Sequence, residues 1–329
     1  MLPSRRRVGF NGPLMDAPPR PVPAPAAPAA AAGQSALSWA AFAGCTLIWS
    51  STFLFISIGN ETLPPVWAAS LRLLLAAPIL GAIALATGQG FPRGAAARAA
   101  SWYGLFQFGI NFPLLYWGEK VLPSGLTAVL FATIPLWAAL FAHAFGLERI
   151  TPLKVVAAAV ALAGIAAIFS GQVRGVIPVL PFVSVLAAAA AGSLGTVMLK
   201  RGPRQSPFVA NAWGALVGLP LCLAASFAIG EAHPLPVTAA ALVPLLYLTL
   251  AGSVGAFVLM AWLIHRWPVT RISFIAVAIP MIAVTLGWLV RGERLRLATI
   301  VGSLLVVAAV AITILSDRRA HAAARAAER

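Results

Sequence analysis

Ten stretches of about twenty mostly apolar residues follow one another along this chain: 36–58, 65–87, 99–119, 124–147, 152–170, 177–199, 207–229, 238–264, 269–290 and 297–316. A helix needs about 20 such residues to cross the hydrocarbon core of a bilayer. Turn formers punctuate the runs, as at Leu63-Pro64-Pro65, Gly88-Gln89-Gly90, Leu122-Pro123-Ser124-Gly125 and Arg201-Gly202-Pro203. The connections are short and leave no room for a separate soluble domain. The pattern predicts an all-α integral membrane protein with ten transmembrane helices.

Composition supports lipid as the solvent. Hydrophobic residues make up 60% of the chain and charged residues only 9%, against about 25% charged in a soluble domain. The net charge of +15 is spread between apolar runs rather than gathered on one patch. It therefore reports orientation in the membrane better than affinity for nucleic acid. With both termini placed in the cytoplasm, every loop cation falls on that side except Lys120, Arg174, Arg291, Arg294 and Arg296, as the positive-inside rule expects. Cys45 and Cys222 lie inside apolar runs and read as small buried residues. Residues 1–35, rich in Pro and Ala, predict a disordered cytoplasmic tail, and residues 317–329 a basic cytoplasmic one. The arginines near the start resemble a twin-arginine signal, but no apolar segment follows them closely, and Met15 is an alternative start.

The outer cluster at 291–296 breaks the charge rule, and a repeat accounts for it. Sliding the chain by 145 positions brings Pro123 onto Pro268, Pro135 onto Pro280, Glu148 onto Glu293 and Arg149 onto Arg294. LFATIPLWAAL then lies against IAVAIPMIAVT, and one more apolar run follows each Glu-Arg pair. Residues 36–170 and 177–316 read as two copies of a five-helix unit. Five is odd, so the second copy is inverted, which is the arrangement many secondary transporters use.

These features resemble the drug/metabolite transporter superfamily, in particular its EamA-type ten-helix permeases. Matching stretches are IWSSTFLF (48–55), Ala69-Ser70-Leu71-Arg72, YWGEKVLPSG (116–125) and the Glu-Arg pair after a glycine that ends each fourth helix, Gly146-Leu147-Glu148-Arg149 and Gly292-Glu293-Arg294. The resemblance implies a secondary transporter of small metabolites such as amino acids, often working outward by alternating access. It also implies a place for first-helix residues in the cavity.

Polar groups inside the runs are the candidate substrate contacts. Arg72 lies about 10 Å into the second run at 1.5 Å per residue. A charge at mid-membrane costs at least about 2.5–3.5 kcal/mol. Arg72 either pairs with Glu119, receives a substrate carboxylate, or snorkels to headgroups. Tyr103, Gln107 and Asn111 recur at i, i+4 and i+8 and predict one polar stripe, lining a cavity or gluing helices. Cys45, Trp49 and Thr52 share a face of the first helix, with Trp49 far from either interface. Ser193, Thr196 and Ser253 are further cavity candidates. Pro135 and Pro280 sit mid-run and free the carbonyls of Phe131 and Ala276, as hinges or static kinks. Glu148, Arg149, Glu293 and Arg294 read as loop salt bridges or gate residues.

No phosphate-binding loop or metal-ligating cluster is present in the sequence, so no cofactor and no enzymatic activity are expected. Transport is then proton-coupled or facilitative, with Glu119 and His143 the candidate proton carriers. The expected partners are a small-molecule substrate and the bilayer. A homodimer is compatible with the sequence. The competing classes are a membrane-embedded enzyme, a channel and a non-transporting scaffold.

Overall fold

The computed structural model describes residues 36–147, 150–170, 178–264, 266, 275–293 and 297–327. Every regular element among them is helical. The chain is an integral membrane protein, with six helical stretches among the described residues long and apolar enough to cross a bilayer and shorter apolar helices beside them.

The first part contains α1 (Ala36–Gly59), α2 (Pro65–Ala86), α3 (Gly94–Gly104), a π-helical segment (Leu105–Ile110), α4 (Asn111–Glu119), α5 (Ser124–Phe131), α6 (Ile134–Ala144) and α7 (Pro152–Ser170). The second contains α8 (Val179–Arg201), α9 (Pro207–Ala228), α10 (Ala239–Tyr247), a second π-helical segment (Leu248–Gly255), α11 (Ala256–Ile264), α12 (Ile275–Arg291) and α13 (Leu297–Ala327). Proline opens several helices at positions where its missing N–H costs nothing. Glycines with φ near +70°, such as Gly88 and Gly230, end α2 and α9, because only glycine takes that conformation without penalty.

The helical rod Gly94–Glu119 and the rod Ala239–Ile264 lie 145 positions apart at both ends, and each contains a π-helical segment at its middle. A π turn holds more residues than an α turn. The residues expected to form one stripe divide between two neighbours: Gln107 and Asn111 face Gly192 on α8, while Tyr103 bonds Asn211 on α9. Pro135 also differs from expectation. The helix does not bend at it but stops at Ala132 and Thr133, and α6 restarts with Pro135 in its first turn. Pro280, in contrast, lies inside a continuous α12. The basic segment after residue 316 continues α13 to Ala327, as its alanines favour.

The major helix pairings join a helix before residue 171 to one after residue 177. Examples are α7 with α13, α2 with α9, α4 with α8, and α1 with both α11 and α12. Small residues permit the closest approaches. A Cβ added to Gly104 would lie 2.5 Å from the carbonyl oxygen of Gly214, so α3 and α9 meet backbone to backbone. Hydroxyls inside the helices mostly bond the carbonyl one turn earlier, as Thr46 does to Phe42, Ser50 to Thr46 and Ser70 to Val66. They are thereby satisfied without a partner helix.

Candidate functional site

Arg72 comes two turns into α2 and is 7% exposed. Its Nε donates to Ser253 Oγ at 2.9 Å, across from the second π-helical segment. Its Nη1 donates to Tyr116 Oη at 3.1 Å on α4. The guanidinium carbon stands 5.0 Å from the centroid of Phe112, a cation–π distance. Gly252 leaves the space for this arrangement: a Cβ there would come within 3.3 Å of Arg72 Nη2 and 3.1 Å of Thr52 Cγ2. Arg72 is thus held between α2, α4 and the second π segment by neutral groups. Among the described residues no carboxylate reaches ion-pair distance of it.

The expected pairing of Arg72 with Glu119 is not formed. Tyr116, one turn earlier on α4, takes the guanidinium instead. Glu119 is 2% exposed, and neither of its oxygens has a hydrogen-bond partner. Asn111 is fully buried with both amide atoms unpartnered. Buried polar atoms are nearly always bonded, so these two side chains stand out. Gln107 and Asn111 face Gly192 on α8, where a Cβ would lie 3.0 Å from Gln107 Oε1. Tyr103 turns instead to α9 and donates to Asn211 Oδ1 at 2.9 Å, which is helix-to-helix bonding.

The first-helix candidates pack on the second part of the chain. Cys45 lies 3.7 Å from the Ala256 carbonyl, Trp49 meets Phe257 edge to face at 6.1 Å, and Thr52 abuts Gly252. Ser193 Oγ sits 2.9 Å from the Ile134 carbonyl, at the restart of the broken helix. Thr196 donates to the Gly192 carbonyl at 3.0 Å. With Pro135, Lys154 and Lys200, it lines a cavity of about 210 Å³. His143 is exposed in the last turn of α6.

At the opposite end from that cavity, carboxylates tie the two parts of the chain together. Glu293 accepts from Ser124 N–H at 2.8 Å, Ser124 Oγ at 2.7 Å and Gly125 N–H at 3.1 Å. It thereby caps the N-terminus of α5. Glu231 accepts from Val66 N–H at 3.1 Å and Trp67 N–H at 2.8 Å, capping α2, and takes the Ser226 hydroxyl at 2.7 Å. An acid at a helix N-terminus satisfies orphan donors and meets the positive end of the dipole. Arg291 pairs with Glu61 beside them. A cavity of about 600 Å³ opens here among Asn60, Glu61, Trp117, Lys120 and Glu231. Glu293, expected from sequence in a loop pair with Arg294, makes this cap. Arg294, Glu148 and Arg149 lie outside the described residues.

Sequence reasoning missed Tyr116, Phe112, Glu61 and Glu231. Glu231 carries a usable signal, being one of only eight acidic residues in the chain. Its cap on α2 is nonlocal and has no sequence motif.

The model of the EamA-like transporter family matches the chain twice, at residues 36–170 and 180–315. The inner membrane transporter YedA of Escherichia coli K12 is 29% identical over 272 residues, covering 82% of this chain and 88% of YedA. The transporter YoaV of Bacillus subtilis is 24% identical over 265 residues, covering 79% and 91%. A Salmonella typhimurium protein named "Probable amino-acid metabolite efflux pump" is 25% identical over 289 residues, covering 83% and 93%. A solved crystal structure, 20% identical, superposes with a TM-score of 0.60 over 85% of this chain and 99% of its own, and shares the fold. The two family matches together span nearly all of the helical region, and the chain belongs to the EamA-like transporter family.

Proposed function

We propose that this protein is a secondary transporter that exports small metabolites such as amino acids. It works by alternating access between two inverted five-helix repeats, residues 36–170 and 177–316, in the inner membrane with both termini cytoplasmic. The observation that carries the reading is Arg72, a buried cation between the two parts with neutral partners only. It is the receptor for the anionic group of the substrate, with Ser253 and Tyr116 holding its fork. The 145-residue register of the two π-containing rods, the double family match and the cross-chain pairing of helices support the repeat. The name of the Salmonella relative supports the substrate class.

The Glu231 and Glu293 caps form the outer gate in this reading. The backbone N–H donors of both caps lie in the first part of the chain and the carboxylates in the second, so opening that end requires breaking those bonds. Glu119, buried without a partner, is the proton carrier for coupled transport. Trp49 and Thr52 lie along the seam the substrate would follow, and the helix break before Pro135 and the proline within α12, Pro280, are the hinges.

The test is counterflow in proteoliposomes with pooled labelled amino acids. Saturable exchange is expected in the wild type and its loss in Arg72→Ala. Arg72→Lys should also fail, because one ammonium cannot reach Ser253, Tyr116 and a carboxylate together. Full exchange by a stably folded Arg72→Ala protein would overturn the assignment of the site.

A further inference from the structure

Hydroxyls inside the helices of this chain mostly donate to the carbonyl one turn earlier, as Thr46, Ser50 and Ser70 do. Around Arg72 they do not. Ser253 Oγ and Tyr116 Oη are engaged only as acceptors, from Arg72 Nε and Nη1. A hydroxyl that accepts keeps its own proton to give. Among the described residues neither proton has an acceptor, and Arg72 Nη2 makes no hydrogen bond either.

Thr249 joins this group. It is 1% exposed, and among the described residues it is the one enclosed hydroxyl with no hydrogen-bond partner. It belongs to the second π-helical segment, three residues before Gly252 and four before Ser253. Both of those face Arg72: Ser253 through its bond, and Gly252 because a Cβ there would lie 3.3 Å from Nη2. Four residues fall between the 3.6 of an α turn and the wider turn of a π-helix, so Thr249 stands one turn along the same face. The segment packs on α1 and on α2, the helix that carries Arg72.

The result is a set of buried donors with no acceptor. Buried polar groups are nearly always bonded, and a bond left unmade costs stability. A neutral alcohol or amide would bring further donors to a place that already has donors to spare. A carboxylate brings acceptors only, two oxygens with about four lone-pair sites, one for each of Nη2, Tyr116, Ser253 and Thr249.

We propose that Thr249 is a specificity-determining residue of the substrate site: its hydroxyl, with those of Tyr116 and Ser253, donates to the substrate carboxylate that Arg72 receives. The inference rests on the reading of Arg72 as the anion receptor and deepens it. A site built from such donors rejects an analogue that cannot answer them, so it selects an amino acid against the amide of the same shape.

The experiment is counterflow in proteoliposomes with pooled labelled amino acids, competed by unlabelled amino acids or by their amides. Thr249→Val keeps the shape and removes the hydroxyl. It should raise the half-saturating concentration about tenfold while the maximal rate stays within about twofold, and Thr249→Ser should restore the affinity. The preference for amino acids over amides should fall by a similar factor, which a loss of packing alone would not produce. The thermal midpoint in detergent without substrate should hold or rise, because an unbonded hydroxyl gives the fold nothing. Unchanged half-saturation and preference in Thr249→Val, with Arg72→Ala inactive, would overturn the role of Thr249 and leave the anion receptor standing. So would a lowered midpoint with the preference unchanged, which would make Thr249 a structural residue. Full exchange by folded Arg72→Ala, or no saturable exchange by the folded wild type, would overturn the receptor itself and the inference with it.

Discussion

Replacing Glu293 by glutamine tests the proposed outer gate with the least disturbance of shape. The carboxylate takes three hydrogen bonds, from Ser124 N–H, Ser124 Oγ and Gly125 N–H. Bonds to a charged acceptor contribute about 1.5–3 kcal/mol each, neutral ones about half that. The charge also meets the positive end of α5, for a further ~0.3–2 kcal/mol. Glutamine keeps one acceptor oxygen, loses the charge and turns an NH₂ toward a donor. Roughly 2 kcal/mol of closed-state stability should go, a factor of about 30 in a two-state equilibrium. A cysteine at Thr127, one turn into α5 and fully buried, reports the opening. Cys45 and Cys222 are fully buried and give a low background. In cells, an impermeant maleimide should label Thr127→Cys about 30-fold faster when Glu293→Gln is added, provided opening is fast relative to labelling. Labelling at the parental rate in a folded double variant would refute the idea that this cap holds the end shut.

Glu119→Gln should leave counterflow intact while abolishing accumulation driven by a proton gradient; accumulation equal to wild type would remove Glu119 from the coupling. Gly104→Ala should destabilise the protein by roughly 1–3 kcal/mol through overpacking, read as a lower thermal midpoint in detergent, because the new methyl would lie 2.5 Å from Gly214 O. An unchanged midpoint would mean that α3 and α9 can part freely.

The helices were legible because hydrophobicity over twenty residues is a local property, written once per span. The run 238–264 corresponds to helix from Ala239 to Ile264, and the 145-residue offset of Glu148 and Glu293 leads to the same register as the two π-containing rods. What the sequence could not display was which helix meets which. Tyr103, Gln107 and Asn111 share a helical spacing in the sequence, but Tyr103 reaches α9 while Gln107 and Asn111 face α8, a division set by which helices pack there and not by spacing. Arg72 was visible as an anomaly, but its partners Tyr116 and Ser253 lie 44 and 181 positions away. Glu119 was the nearer choice by charge alone, and charge alone ignored that a tyrosine one turn earlier occupies the approach.

As the anion receptor proposed above, Arg72 is better served by a neutral setting than by an ion pair. Burying a guanidinium near mid-membrane costs at least about 2.5–3.5 kcal/mol. Two hydrogen bonds from the charged group, at about 1.5–3 kcal/mol each, and the Phe112 face offset most of that. The empty site is then tolerable without a built-in carboxylate. A fixed Glu in its place would have neutralised the cation for good, and a substrate carboxylate would have had to displace it. With Ser253 and Tyr116 as its only polar partners among the described residues, an arriving anion would add its full attraction to a cation already desolvated and oriented. Because Ser253 belongs to the second part of the chain while Tyr116 and Arg72 belong to the first, any motion that separates the two parts must take one bond from the guanidinium. In the proposed mechanism, substrate affinity and the relative position of the two parts are therefore coupled through a single side chain.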